Sequence, residues 1–219
     1  MKQAGNIGIS LILLLWGAGM VLAFWHFEGQ YLRPVSRPAG AVVAHPEALP
    51  PAPYAVLDTQ QGSIRLSGPG PVTLINFWNP DCPCSRFAES DVRGLVRAYQ
   101  PRGVRFITVI ASGSAPEAQR AASAAWRARA LAGSASLVDA DNRVARRFGV
   151  WAAPAAVILD ARGRVAYVGA YNAARYCHDP NTAWAKKALV AVLAGQKPPR
   201  AKTLFFGCQL LGAALKGNL

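Results

Sequence analysis

The chain has 219 residues, 52% of them hydrophobic and 16% charged, which excludes a disordered polymer and leaves room for one domain with a sizeable core. Its net charge of +13 brings a nucleic-acid surface to mind. Arg120, Arg127, Arg129, Arg146 and Arg147 are scattered rather than gathered in one tract, however, so they read as a solvated face and no nucleic-acid partner is expected.

Residues 7–25 carry no charge and are about as long as a hydrocarbon core is thick. The run closes on Leu22, Ala23, Phe24 and Trp25, which offer no small-x-small cleavage site. An uncleaved anchor is therefore read in preference to a signal peptide. Lys2 precedes it, and His26, Glu28, Arg33 and Arg37 follow, so the charge bias across it is weak. With a short tail inside, everything after residue 25 would be extracytoplasmic. The expected organisation is an anchor over residues 1–28, a linker over 29–53 and a domain over 54–219. Pro34, Pro38, Pro46, Pro50, Pro51 and Pro53 mark the linker.

The domain begins with two short strand patterns, residues 55–58 and 63–67, flanking a four-residue loop at 59–62. An apolar run at 71–75 reads as a buried strand, and residues 86–99 read as a helix with Phe87, Leu95, Val96 and Tyr99 on its apolar side. Between them stand Asn76, Phe77, Trp78, Asn79, Pro80, Asp81, Cys82, Pro83, Cys84 and Ser85. Two cysteines thus fall where a strand hands over to a helix, and a helix N-terminus stabilises a thiolate. Further along, strands are expected at 104–111, 135–139, 155–159 and 165–169, with helices at 115–132, 142–148 and 182–194. This alternation, closing in an antiparallel hairpin and a helix, predicts a mixed central sheet covered on both faces.

Asn76, Phe77 and Trp78, then three residues, then Cys82, form one motif; Gly149 and Val150, then Pro154, Leu159 and Asp160, form a second. On these residues the chain resembles the membrane-anchored TlpA/ResA-like branch of the thioredoxin superfamily, over about residues 54–195. The resemblance implies an α/β thioredoxin-like fold behind one transmembrane helix. It also implies a cis proline at Ala153-Pro154 facing the active cysteine, with Trp78, Ala153 and Pro154 as substrate contacts. The activity implied is thiol-disulfide exchange with protein thiols and disulfides, with no cofactor and no metal. A membrane electron donor or acceptor would be a partner, and the domain would face the periplasm from the inner membrane.

The departure is that Cys82-Pro83-Cys84 replaces the family's Cys-x-x-Cys, and Ser85 holds the place of its second cysteine. Side chains two apart on a helix diverge by about 200°. A Cys82–Cys84 bridge therefore requires Cys82 to lie outside the helix, with Pro83 in its first turn. Asp81 before it opposes thiolate formation or caps the helix. Cys82 is expected as the exposed attacking thiolate and Cys84 as its resolving partner. Four extracytoplasmic cysteines allow three pairings. Proximity favours Cys82–Cys84 and a structural Cys177–Cys208 bridge, worth on the order of 3–4 kcal/mol. The competing arrangement is a relay in which Cys177 or Cys208 passes electrons to Cys82. Other functions considered are a Sco-like Cu(I) metallochaperone using His178, a thiol peroxidase, and a non-catalytic binding module of the same fold. Phe77 or Ile75 stands where the peroxidase frame needs a proline.

Overall fold

The computed structural model describes residues 2–38, 52 and 54–210, and divides into two units, residues 1–33 and 34–219. The first unit is one helix, α1 (Lys2–Leu32). Its segment Gly8–Phe27 is long and apolar enough to cross a membrane, with a mean hydropathy of 2.0. The proline-rich stretch expected as a linker falls mostly outside the described residues. Its early part is not free: the Val35 amide donates to the Phe205 carbonyl at 2.8 Å, and the Trp151 indole donates to the Val35 carbonyl at 3.2 Å.

The second unit opens with a hairpin of β1 (Val56–Thr59) and β2 (Gly62–Arg65). Thr59 pairs with Gly62, so the loop is two residues rather than four. Gly62 takes a positive φ of 112°, which the tight turn requires and glycine supplies without strain.

The central sheet has β3 (Thr73–Trp78), β4 (Arg105–Ser112), β5 (Ser134–Ala140), β7 (Ala155–Leu159) and β8 (Val165–Gly169), in the order β5-β4-β3-β7-β8. The β3, β4 and β5 strands run parallel, joined by α2 (Pro83–Tyr99) and α3 (Pro116–Arg127), whereas β7 and β8 run antiparallel to their neighbours. A short α4 (Arg143–Arg147) and the two-residue β6 (Ala152–Ala153) lead into β7, and α5 (Trp184–Leu193) follows β8. This strand order, with a helix leaving the central strand, is the thioredoxin-like fold.

The twofold alternation of strand side chains sorts the core into two layers. Leu74 and Trp78 of β3, with Phe106 and Ile110 of β4, meet α2, α3 and α5 through Val92, Val96, Trp126 and Leu189. Ile75, Phe77, Ile107 and Val109 point the other way and pack with Phe148, Trp151, Phe205 and Leu210. Both faces are therefore apolar, and β3 is buried along its whole length. Thr73 and Asn76 are the polar residues in that strand, and Asn76 lies at the sheet's centre. Its amide donates to Thr108 Oγ1 at 3.5 Å and its carbonyl accepts from the Tyr171 hydroxyl at 2.9 Å, so no polar atom is stranded.

Candidate active site

The central strand β3 ends at Trp78, and α2 starts at Pro83, three residues earlier than the expected helix. Cys82 is the N-cap in an extended conformation (φ −96°, ψ 114°), and Pro83 sits in the first turn, where its missing amide costs no hydrogen bond. The Cys82 carbonyl accepts from the amides of Ser85 and Arg86 at 3.1 and 3.3 Å, closing the first turn. Asp81 does not cap the helix; its own amide donates to Asn79 Oδ1 at 2.9 Å. The Asn79 amide donates to the Ser85 hydroxyl at 3.2 Å, so Ser85 braces the loop with its oxygen.

Opposite this turn lies the Ala153–Pro154 peptide, which is cis. The Cys82 sulfur stands 3.4 Å from the Ala153 carbonyl oxygen. In the disulfide it has no proton to donate; as a thiol it would donate to that oxygen.

The cysteine pairing differs from expectation. Cys82 is bonded to Cys208 across 126 residues, with their Cα atoms 5.8 Å apart, while Cys84 and Cys177 are free thiols. The expected Cys177–Cys208 bridge is therefore replaced. The reason lies in the tail. Residues Cys208–Gln209 form β9 and pair antiparallel with β6, Ala153 opposite Cys208 and Ala152 opposite Gln209. Phe205 is fully buried and packs its ring 4.4 Å from that of Trp151. Leu210 donates its amide to the Trp151 carbonyl at 2.8 Å and accepts from the Asn142 side chain at 3.1 Å. Gly207 has a φ of 147°, and a Cβ there would run into the Ala153 carbonyl. These contacts bring Cys208 onto the sulfur of Cys82. Cys177 lies elsewhere, its sulfur 3.7 Å from the Thr182 hydroxyl.

Two further expectations are corrected. Cys82 is not exposed: its relative accessibility is 0%, because the tail covers it, and Cys208 is the less buried end of the bond. Trp78 is 2% exposed, packs on Trp126 at 5.3 Å and donates its indole N–H to Glu89 at 3.2 Å. It supports the core behind the site and offers almost no accessible surface.

Cys84, in the first turn of α2, is 4% exposed. The sulfurs of Cys82, Cys84 and Cys208 all lie within 4.8 Å of one another. A cavity of about 20 Å³ beside them, room for about one water, is lined by Cys84, Phe87, Pro154, Arg175, Cys177 and Phe206. Arg175 Nε is buried there, with no hydrogen-bond partner among the described residues. His178, the histidine of the alternative Sco-like copper reading, bonds to Asp91 at 2.9 Å and stacks on Phe87 at 4.2 Å; it is not in the group formed by the three sulfurs.

The sequence carried Cys82 and Pro154 through their motifs. Cys208 was missed as Cys82's partner because spacing favoured local pairs, and a two-residue strand leaves no periodicity to read.

No curated protein matches the chain. An uncharacterized conserved protein from Geobacillus kaustophilus aligns over 77% of this chain and 92% of its own, at 22% identity and a TM-score of 0.60. A hypothetical protein from Sinorhizobium meliloti aligns over 74% and 92%, at 22% identity and a TM-score of 0.61. A secreted disulfide oxidoreductase from Mycobacterium tuberculosis aligns over 64% and 94%, at 22% identity and a TM-score of 0.41. The first two of these likenesses are of fold. With residues 44–209 matched by its model, the chain belongs to the family described as a domain of unknown function, DUF6436.

Proposed function

We propose that this protein is a thiol-disulfide oxidoreductase, tethered by α1 and working outside the cytoplasm, with Cys82 and Cys208 as its exchanging pair. The observation that carries the reading is the bond itself: a disulfide at a helix N-terminus, beside a peptide turn, with one reachable end. A helix N-terminus stabilises the thiolate of Cys82, which makes it the better leaving group. Cys208 is the end less covered by protein, so it is the sulfur an incoming thiolate meets.

A partner dithiol would then be oxidised in two steps. One partner thiolate attacks Cys208; the S–S bond breaks and Cys82 leaves as a thiolate, giving a partner–Cys208 mixed disulfide. The second partner thiolate attacks the partner's own sulfur in that bond, and Cys208 leaves as a thiolate. Two electrons pass from partner to protein, and a proton later reaches each cysteine. Reduction of a partner disulfide is the same sequence reversed.

The organisation that goes with this reading is a membrane helix, a linker and one periplasm-facing domain. Its partners are protein thiols and a membrane electron donor or acceptor. The test is trapping in membranes with the full chain. Cys82→Ser leaves Cys208 without its resolving thiol, so mixed disulfides with partners should accumulate and disappear in the Cys82→Ser/Cys208→Ser double variant. Adducts that persist in the double variant would move the reaction to Cys84 or Cys177, and their complete absence would remove the exchange reading.

A further inference from the structure

Exchange through Cys82 and Cys208 leaves Cys84 unused, although its buried thiol belongs to the same group of three sulfurs. We propose that, once the Cys82–Cys208 disulfide is reduced, Cys82, Cys84 and Cys208 form a trigonal thiolate site for a soft monovalent cation, Cu(I). This goes beyond the exchange reading and stands on a different observation, the convergence of the third sulfur.

Donor chemistry selects the ion. Three thiolates, joined by no histidine or carboxylate among the described residues, make a soft site. Zinc almost always takes four ligands in a structural site, and among the described residues the group supplies three. A metal–sulfur distance of about 2.3 Å in a trigonal plane needs sulfurs about 4 Å apart. The three sulfurs already lie within 4.8 Å, so opening the disulfide requires little movement of the backbone.

The scaffold holds its ligands without the covalent bond. Cys82 caps α2, Cys84 lies in its first turn, and Cys208 is kept in place by strand pairing with Ala153 and by the buried Phe205 behind it. Charge is balanced from two sides. Three thiolates on one Cu(I) carry a net −2, which the amides at the α2 N-terminus favour. Arg175 lines the adjoining cavity with Cys84 and has a buried Nε in need of a partner. Burial of Cys82 and Cys84 also excludes water, which protects the reduced ion.

The steps balance. A dithiol reductant supplies two electrons and two protons to the disulfide and is itself oxidised to a disulfide. Cu(I) then displaces three protons from three thiols, giving a complex of charge −2. The oxidised protein lacks two of the three ligands, so copper retention is gated by the thiol state.

The experiment uses the full chain in detergent micelles, reduced with dithiothreitol, desalted without oxygen and titrated with Cu(I) against bicinchoninate. One Cu(I) per chain should be held, and X-ray absorption on the unsubstituted protein should count three sulfur ligands. Cys208→Ser and Cys84→Ser should each weaken retention by about 100-fold, whereas Cys177→Ser should not. Loss of copper to the chelator, two sulfurs in the absorption spectrum, unchanged affinity in Cys208→Ser, or preferential retention of zinc would each overturn the site.

Discussion

Asp160 shows how one side chain can anchor a turn. It directly follows β7, accepts from the amides of Arg162 and Arg164 at 2.9 Å each, and takes the Arg164 guanidinium in a salt bridge at 2.7 Å. Partial burial pushes its pKa upward, but the Arg164 and Arg162 hydrogen bonds outweigh that and hold it below the ordinary 3.8. A depressed carboxylate contributes stability that is present above the unfolded value and is lost as pH falls through the folded one. Asp160→Asn should therefore cost about 1 kcal/mol at neutral pH and flatten the acid side of the stability curve below about pH 4. Denaturant melts at a series of pH values check both; an unchanged acid limb would assign the turn's stability elsewhere. Asp139 titrates in the opposite sense. Burial, its largest influence, raises its pKa despite amide hydrogen bonds from Val144 and Ala145 at 2.9 Å, so this ionised carboxylate is held at a cost.

At the scale of elements, the parts that carried a long apolar pattern or a motif were legible in the chain. Every strand of the central sheet and all three longer helices of the folded unit overlap the expected segments, although β3 runs on to Trp78, three residues past the expected run, and α2 starts early at Pro83. The strands β3, β4, β7 and β8 were legible because they are apolar and buried almost throughout. The Cys82 turn was legible through Pro83 and the strand before it. What could not be read was β9. Its two residues carry no period, its partner β6 is equally short, and the pairing is set by the packing of Phe205 and Leu210, which is long-range. The hairpin loop was overestimated for a related reason: Thr59 and Gly62 look like turn residues but close the ladder. Gly207 tests the tail's placement. Alanine there would meet the Ala153 carbonyl and a φ of 147° that an L side chain rarely takes. Gly207→Ala should cost about 1–3 kcal/mol and strip hydrogen-exchange protection from the amides around Cys208 and Leu210 while the sheet stays protected. Unchanged protection would mean that the tail is held by its disulfide alone.

For the whole molecule, the Cys82–Cys208 bond ties the start of the first sheet-spanning helix to the end of the described chain. Its 126-residue separation constrains most of the folded unit when unfolded. In the chain-entropy model a loop of that size is worth about 5 kcal/mol, more than the local pairing expected from spacing would have supplied. The same quantity has a redox meaning. If the bond stabilises the fold, the fold stabilises the bond by an equal amount, since the two paths from reduced unfolded to oxidised folded chain close one cycle. The disulfide should then be harder to reduce in the native protein than in the denatured one. Full-length protein in detergent should melt about 15 °C lower after reduction, and Cys82→Ser/Cys208→Ser should melt with the reduced protein and ignore dithiothreitol. Thermal melts with and without reductant decide the matter. Equal melting temperatures for both states would show that docking of Phe205 and Leu210 already holds the tail, and that the bond serves exchange without stabilising the fold.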